Sequence, residues 1–212
     1  HGGRYSYKNQ PAIAHWNLTM LAQALLPAID KQPEIAVEMA QEVINTFPKY
    51  FSDYHNAGLA KKLGLKNLQG FDSDLINDLF EIMSDEKLDF TLTFRYLSDI
   101  VDLKDPSGKI DNSADIEKGL IKWLPRWQER LALDQIEASD RQRNMYAVNP
   151  AFIPRNHLIE EVIRYAIEDQ DFSKFDLLVK VLNSPFSYNS KYELYSRPPR
   201  PDQVVKQTFC GT

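Results

Sequence analysis

Apolar residues recur along this chain at helical spacing. Between residues 11 and 29, Ile13, Trp16, Leu18, Met20, Leu21, Leu25 and Leu26 form a broad apolar stripe, and Pro11 suits a first helical turn. Pro27 is expected to disturb the end of that helix. A second helical segment opens at Pro33 and carries Ile35, Val37, Met39, Val43, Ile44 and Phe47, with Pro48 expected to kink or stop it. Residues 50–63 then resume as helix, and Gly64 suits the C-cap. Asp72 or Ser73 is expected to N-cap a helix carrying Leu75, Ile76, Leu79, Phe80 and Met83. Phe90, Leu92, Phe94, Leu97 and Ile100 make residues 89–101 another helix.

The second half repeats the pattern. Asp105, Pro106, Ser107 and Gly108 are turn chemistry, and Ser113 is expected to cap a helix with Ile116, Leu120, Ile121 and Trp123. Pro125 lies inside that pattern and is expected to kink or restart it before Trp127 and Leu131. A further helix is expected over residues 134–145, then a loop over 146–154 around Pro150 and Pro154. Asn156 suits the cap of a helix with Leu158, Ile159, Val162, Ile163 and Ile167, and residues 172–182 form a last short helix. From Ser184 onward, Pro185, Pro198, Pro199 and Pro201 mark an extended tail. No strand alternation exceeds four residues. The expected fold is therefore all-α, with a helical region over 1–183 and a tail over 184–212.

Composition narrows the function classes. Hydrophobic residues make up 43% and charged residues 26% of 212, an ordinary globular balance. The net charge of −5 argues against a dedicated nucleic-acid binder, which needs a basic face to neutralise phosphates. No run approaches the roughly 20 apolar residues of a membrane span, so no membrane partner is expected. A signal-peptide pattern is also missing, and the first residue is His1, which leads us to expect a piece of a longer protein.

Few residues are arranged for chemistry. His1, His15, His55 and His157 lack the spacing of zinc motifs such as H-E-x-x-H, and the single cysteine, Cys210, excludes a cysteine zinc site. Nothing near Cys210 orients a base toward it, so on local sequence it is an inert tail thiol. Pro106, Ser107, Gly108 and Lys109 imitate the end of a P-loop, but the first glycine is missing and Ile110 stands where Ser or Thr belongs. Carboxylate pairs such as Glu160 with Glu161, or Glu168 with Asp169 and Asp171, read as solvated helix faces. Trp16, Trp123 and Trp127 are expected in the core.

Three polar blocks remain. They run from Gly3-Arg4-Tyr5 to Asn9-Gln10-Pro11, from Asp89 through Thr91-Leu92-Thr93-Phe94-Arg95, and from Asn149-Pro150 to Pro154-Arg155-Asn156-His157. Hydrogen-bonding side chains of this kind can fix loop backbone that has no helical partner, and Arg155 and Asn156 are expected to do so. In this order, with Trp16-Asn17 and the ending Cys210-Gly211-Thr212, the blocks resemble the SelO/YdiU family, the selenoprotein O pseudokinases.

The resemblance implies a kinase-like fold that moves AMP from ATP onto Ser, Thr or Tyr hydroxyls of protein substrates, using magnesium or manganese. It also implies that the ATP lysine, the glycine-rich segment, the metal-binding Asn and Asp and the catalytic Asp precede the Gly3-Arg4-Tyr5 block. On that basis this chain holds no catalytic, cofactor-binding or metal residue. It is the helical part of a kinase C-lobe with a C-terminal extension, and its partner is the catalytic part of the same protein. Only Cys210 carries a transferable role, as the family's redox cysteine pairing with one in the activation segment. The implied setting is the bacterial cytoplasm. The competing reading is a helical scaffold module whose polar blocks dock partners, with no catalytic role.

Overall fold

The computed structural model describes residues 9–101 and 117–206. The expected turn at residues 105–108, the Ser113 cap, the Gly3-Arg4-Tyr5 block and Cys210 lie outside the described residues. Among those described there are helices and turns and no strand, as an all-α fold requires. The chain divides into two compact units, His1–Leu59 and Ala60–Thr212.

The first unit holds α1 (Gln10–Ile29) and most of α2 (Pro33–Lys62). Pro11 sits in the first turn of α1, where its missing N–H costs no hydrogen bond. Pro27 lies in the last turn, and the helix closes two residues later with Asp30 N–H bonded to the Leu26 carbonyl. The Asp30 carboxylate accepts the Gln32 N–H at 2.7 Å and sets the turn into α2. Pro48 lies inside α2, which runs unbroken from Pro33 to Lys62, so the stop it could have imposed does not occur. Pro48 is exposed and Ile44, four residues earlier, is only half-buried, so the forgone hydrogen bond does not fall inside a core.

Two expectations for this unit need correction. Trp16 is not core: it is 49% exposed, and α1 has no fully buried residue. The exclusion of any span-like segment is also too strong. Gln10, His15, Asn17, Thr19 and Gln23 interrupt the apolar run, yet α1 carries no Asp, Glu, Lys or Arg. By length and a mean hydropathy of 1.2 it is apolar enough to cross a membrane.

The second unit begins where α2 ends. Gly64 has φ 71°, its N–H bonds to the Lys61 carbonyl at 3.2 Å, and Leu65 N–H bonds to the Ala60 carbonyl at 2.8 Å. This is a Schellman cap, with glycine in the left-handed position as expected. There follow α3 (Asp72–Asp85), α4 (Phe90–Ile100), α5 (Glu117–Ala132), α6 (Ala138–Tyr146), α7 (Asn156–Arg164) and α8 (Ser173–Leu182). A π-helical turn (Tyr165–Asp169) continues α7, and the short α9 (Glu193–Ser196) lies between two 3-10 turns. α3 packs on α5, α4 on α6 and α7 on α8.

Trp123 and Trp127 anchor the core of this unit. Their rings stack 5.8 Å apart at 18°, and both are buried. Trp123 Nε1 donates to the Leu75 carbonyl at 2.7 Å, and Trp127 Nε1 to the Leu63 carbonyl at 2.9 Å. Each indole thus satisfies its one donor while burying its ring. Pro125, between them, does not restart α5: it is exposed, and the carbonyl of Ile121 it deprives lies on the same exposed side.

Helix starts differ from the sequence reading by one to four residues. Phe71, not Asp72 or Ser73, holds the cap position of α3, because the Asp72 carboxylate is committed to the Gln69 N–H and to Arg130 Nε. α6 starts at Ala138, not at residue 134. The Asp134 carboxylate is taken by the Lys66 N–H and the Arg130 guanidinium, which hold the chain in a turn. Arg155, not Asn156, caps α7. In the segment after α8, the Pro185 carbonyl accepts the N–H groups of Ala151 and Phe152, and Tyr192 and Tyr195 pack on the small cluster of Ala151, Phe152 and Val181.

Candidate functional site

Two of the three polar blocks meet in the second unit, and the first lies mostly outside the described residues. Asp89 caps α4: its Oδ1 accepts the Leu92 N–H at 2.9 Å. The same carboxylate takes both prongs of Arg155, Nη1 to Oδ2 at 2.6 Å and Nη2 to Oδ1 at 3.2 Å. Burial alone would raise the Asp89 carboxyl. The Arg155 guanidinium and the backbone donors outweigh it and hold the group below its ordinary 3.8.

Arg95 reaches the other end of the late block. Its Nη1 donates to the Asn149 carbonyl at 3.1 Å and to the Phe186 carbonyl at 3.2 Å, and its guanidinium lies 4.2 Å over the Tyr146 ring. Tyr146 donates to Asp99 Oδ1 at 2.6 Å; burial, then that hydrogen bond, push its phenol up to about 12.

Asn149 is fully enclosed and uses its whole amide. Nδ2 donates to the Lys62 carbonyl at 2.9 Å and to Ser98 Oγ at 3.0 Å, while Oδ1 accepts Lys62 Nζ at 3.1 Å. Lys62 Nζ also donates to the Val148 carbonyl and lies 5.8 and 5.2 Å over the Phe90 and Phe94 rings. Burial lowers its pKa. This one amide therefore ties the end of α2, α4 and the loop before α7 together.

The Asp89 carboxylate is engaged by Arg155 and the Leu92 N–H, and the Lys62 ammonium by Asn149 and the Val148 carbonyl. Asn156 is exposed and its side chain makes no hydrogen bond among the described residues, so of the two residues expected to pin this loop only Arg155 does. His157 is held below its ordinary value by burial, and His15 stacks 5.5 Å from Phe47 in the first unit. Glu161 pairs with Lys174 at 2.9 Å. Among the described residues, no group of three or more His, Cys, Asp or Glu is placed to hold a metal ion. Sequence reasoning missed Lys62 and Tyr146, whose partners lie far along the chain.

The first unit presents a different feature, an apolar groove between α1 and α2 of about 320 Å³. It is lined by Leu18, Leu21 and Leu25 on one side and Met39, Val43 and Ile44 on the other. Leu21 is 54% and Val43 68% exposed, an uncommon amount of apolar surface for a helix pair facing water.

The family model described as protein adenylyltransferase SelO matches residues 1–183 of this chain. A protein nucleotidyltransferase YdiU of Bradyrhizobium diazoefficiens is 47% identical over 211 residues, covering 99% of this chain and 43% of that protein. Proteins of the same name from a second Bradyrhizobium strain and from Rhizobium rhizogenes are 45% and 42% identical over 210 residues, each again covering 99% of this chain. The chain thus spans 42–43% of the length of these relatives.

Proposed function

The chain belongs to the SelO/YdiU family of protein nucleotidyltransferases, and from that premise we propose that it is the helical, non-reacting part of an enzyme that transfers AMP from ATP to protein hydroxyls. In that reaction a Ser, Thr or Tyr oxygen attacks the α-phosphorus. A new P–O ester bond forms, the bond to the β-phosphate breaks, pyrophosphate leaves, and the hydroxyl proton is lost to a base. On this reading ATP with magnesium or manganese binds to the remainder of the protein, and no step of the reaction is assigned to this chain. We place the reaction in the bacterial cytoplasm, with ATP and its protein substrates.

One observation carries this reading: a chain aligned over 99% of its own length accounts for only 43% of its relative. Two structural features support it. In the Asp89–Arg155 and Lys62–Asn149 hub the carboxylate and the ammonium are both engaged within the chain, as suits a brace. The apolar groove of α1 and α2 needs cover, and its occupant on this reading is the catalytic part of the same protein. Cys210 would then tether the tail to the activation segment through a disulfide, closing a long loop.

Mass spectrometry of a protein substrate incubated with ATP tests the reading. The whole protein should add AMP, and the chain of 212 residues alone should add nothing. Transfer by this chain alone, or addition of phosphate and not AMP by the whole protein, would overturn it. A scaffold would show neither product.

A further inference from the structure

We propose that a pocket between the C-terminal end of α2 and α6 binds a phosphate-bearing anion. The pocket holds about 370 Å³, within the usual range for small-molecule sites. Lys61, Lys66 and Arg141 line it with Asn144, over apolar walls that include Leu65 and Ile136, and no acidic side chain lines it. In a chain of net charge −5, three cations around one concavity stand out.

Arg141 carries the argument. The second unit has three buried arginines among its described residues, Arg130, Arg141 and Arg155. Arg130 pairs with Asp72 and Asp134, and Arg155 with Asp89. Arg141, only 8% exposed, has no carboxylate partner among the described residues. Its Nη2 donates to the Leu131 and Asp134 carbonyls at 2.8 and 3.0 Å, its Nε is buried without an acceptor, and its Nη1 bonds to nothing among the described residues. The neighbouring acid, Asp134, is already engaged by Arg130 and by the Lys66 N–H. Burial accordingly pushes the Arg141 guanidinium below its ordinary value. A buried guanidinium is usually compensated by an anion; Arg141 feels the charge of Asp134 without an ion pair to it, and it lines the cavity.

The flanking residues fit the same ligand. Lys61 and Lys66 are exposed, and neither ammonium forms an ion pair among the described residues. Lys61 also suits the C-terminal turn of α2, whose carbonyl dipoles favour a cation, but Lys66 lies beyond that helix. Gly64 lets the chain turn directly against Arg141: a Cβ there would stand 3.0 Å from Arg141 Cγ. The cations match a phosphate dianion, and the apolar walls leave room for an organic group attached to it. The inference rests on the pocket alone and stands whether or not the protein transfers AMP.

Hydrogen–deuterium exchange on the whole protein, at fixed ionic strength, tests this with inorganic pyrophosphate and with AMP as probes. Peptides covering residues 61–66 and 141–148 should gain protection that saturates with either probe. In a Lys61→Gln/Lys66→Gln variant the half-saturating concentration should rise at least about tenfold with an unchanged melting temperature, and Lys61→Arg/Lys66→Arg should retain binding. Tighter AMP than pyrophosphate binding assigns the site to an organic phosphate; equal or weaker AMP binding assigns it to inorganic phosphates. No protection from either probe at millimolar concentration, or equal protection in the glutamine variant, overturns the proposal. Local exchange keeps any nucleotide site elsewhere in the protein separate from this one.

Discussion

Asp89 and Arg155, 66 residues apart, form a two-pronged ion pair with contacts of 2.6 and 3.2 Å. Asp89 also starts α4, and Arg155 caps α7, so one pair fixes the origins of two helices. Arg155→Ala removes both prongs and leaves the carboxylate partly buried. We expect a loss of about 1–3 kcal/mol in denaturant unfolding. Arg155→Lys keeps the charge without the fork and should recover only part of that. Unfolding curves that superpose for all three proteins would show that the pair does not hold the loop.

The same pair sets an acid dependence. The Asp89 carboxyl is depressed in the folded protein, so its contribution is complete above the ordinary value of 3.8 and is lost as pH falls below it toward the folded-state pKa. Asp89→Asn should flatten this part of the stability profile. The check is the difference between the two proteins' unfolding free energies from pH 6 down to pH 3: it should shrink as the pH drops, and a constant difference would contradict the assignment.

Gly64 answers to two demands at once. Its φ of 71° is left-handed, and an added Cβ would come 2.6 Å from Met145 Sδ. Gly64→Ala should cost about 2–4 kcal/mol in denaturant unfolding, from backbone strain together with overpacking. Gly58, where a Cβ meets nothing within 4 Å, is the control, and Gly58→Ala should be neutral or stabilising.

Trp127 supplies a ring and a donor. Trp127→Ala should destabilise by about 3–5 kcal/mol by opening a cavity against Trp123. Trp127→Phe should cost less, since a ring remains while the Leu63 carbonyl loses its partner. Equal losses in thermal unfolding would mean that the hydrogen bond, and not ring volume, dominates.

Much of this architecture is legible in the residue pattern, because helix periodicity is local. The stripe of Leu75, Ile76 and Leu79 and the Gly64 cap are read without tertiary knowledge. Neither Pro48 nor Pro125 ends its helix, because what a proline does depends on whether the carbonyl it deprives faces solvent, and the order of residues does not say that. Caps are misplaced at Asp72 and Asn156 since distant partners decide the geometry: Arg130 claims the Asp72 carboxylate, and Arg155 docks on Asp89. Trp16 and Trp127 have the same local spacing signal, yet one is half exposed and the other enclosed. The difference comes from what packs against each. For the same reason Lys62 and Asn149, 87 residues apart, gave no sign of their pairing, and Arg141 gave none of lacking an acid.

Hydroxyl-radical footprinting of the whole protein tests most directly the proposal that α1 and α2 brace its catalytic part. Leu21, Leu25 and Val43 are 54%, 47% and 68% exposed in this chain. If the catalytic part covers this groove, those three side chains should be strongly protected in the whole protein, while Tyr54, 77% exposed and outside the groove, stays reactive. Labelling of all four in proportion to those exposures would contradict a brace. So would protection of the three that arises only when lipid vesicles are added.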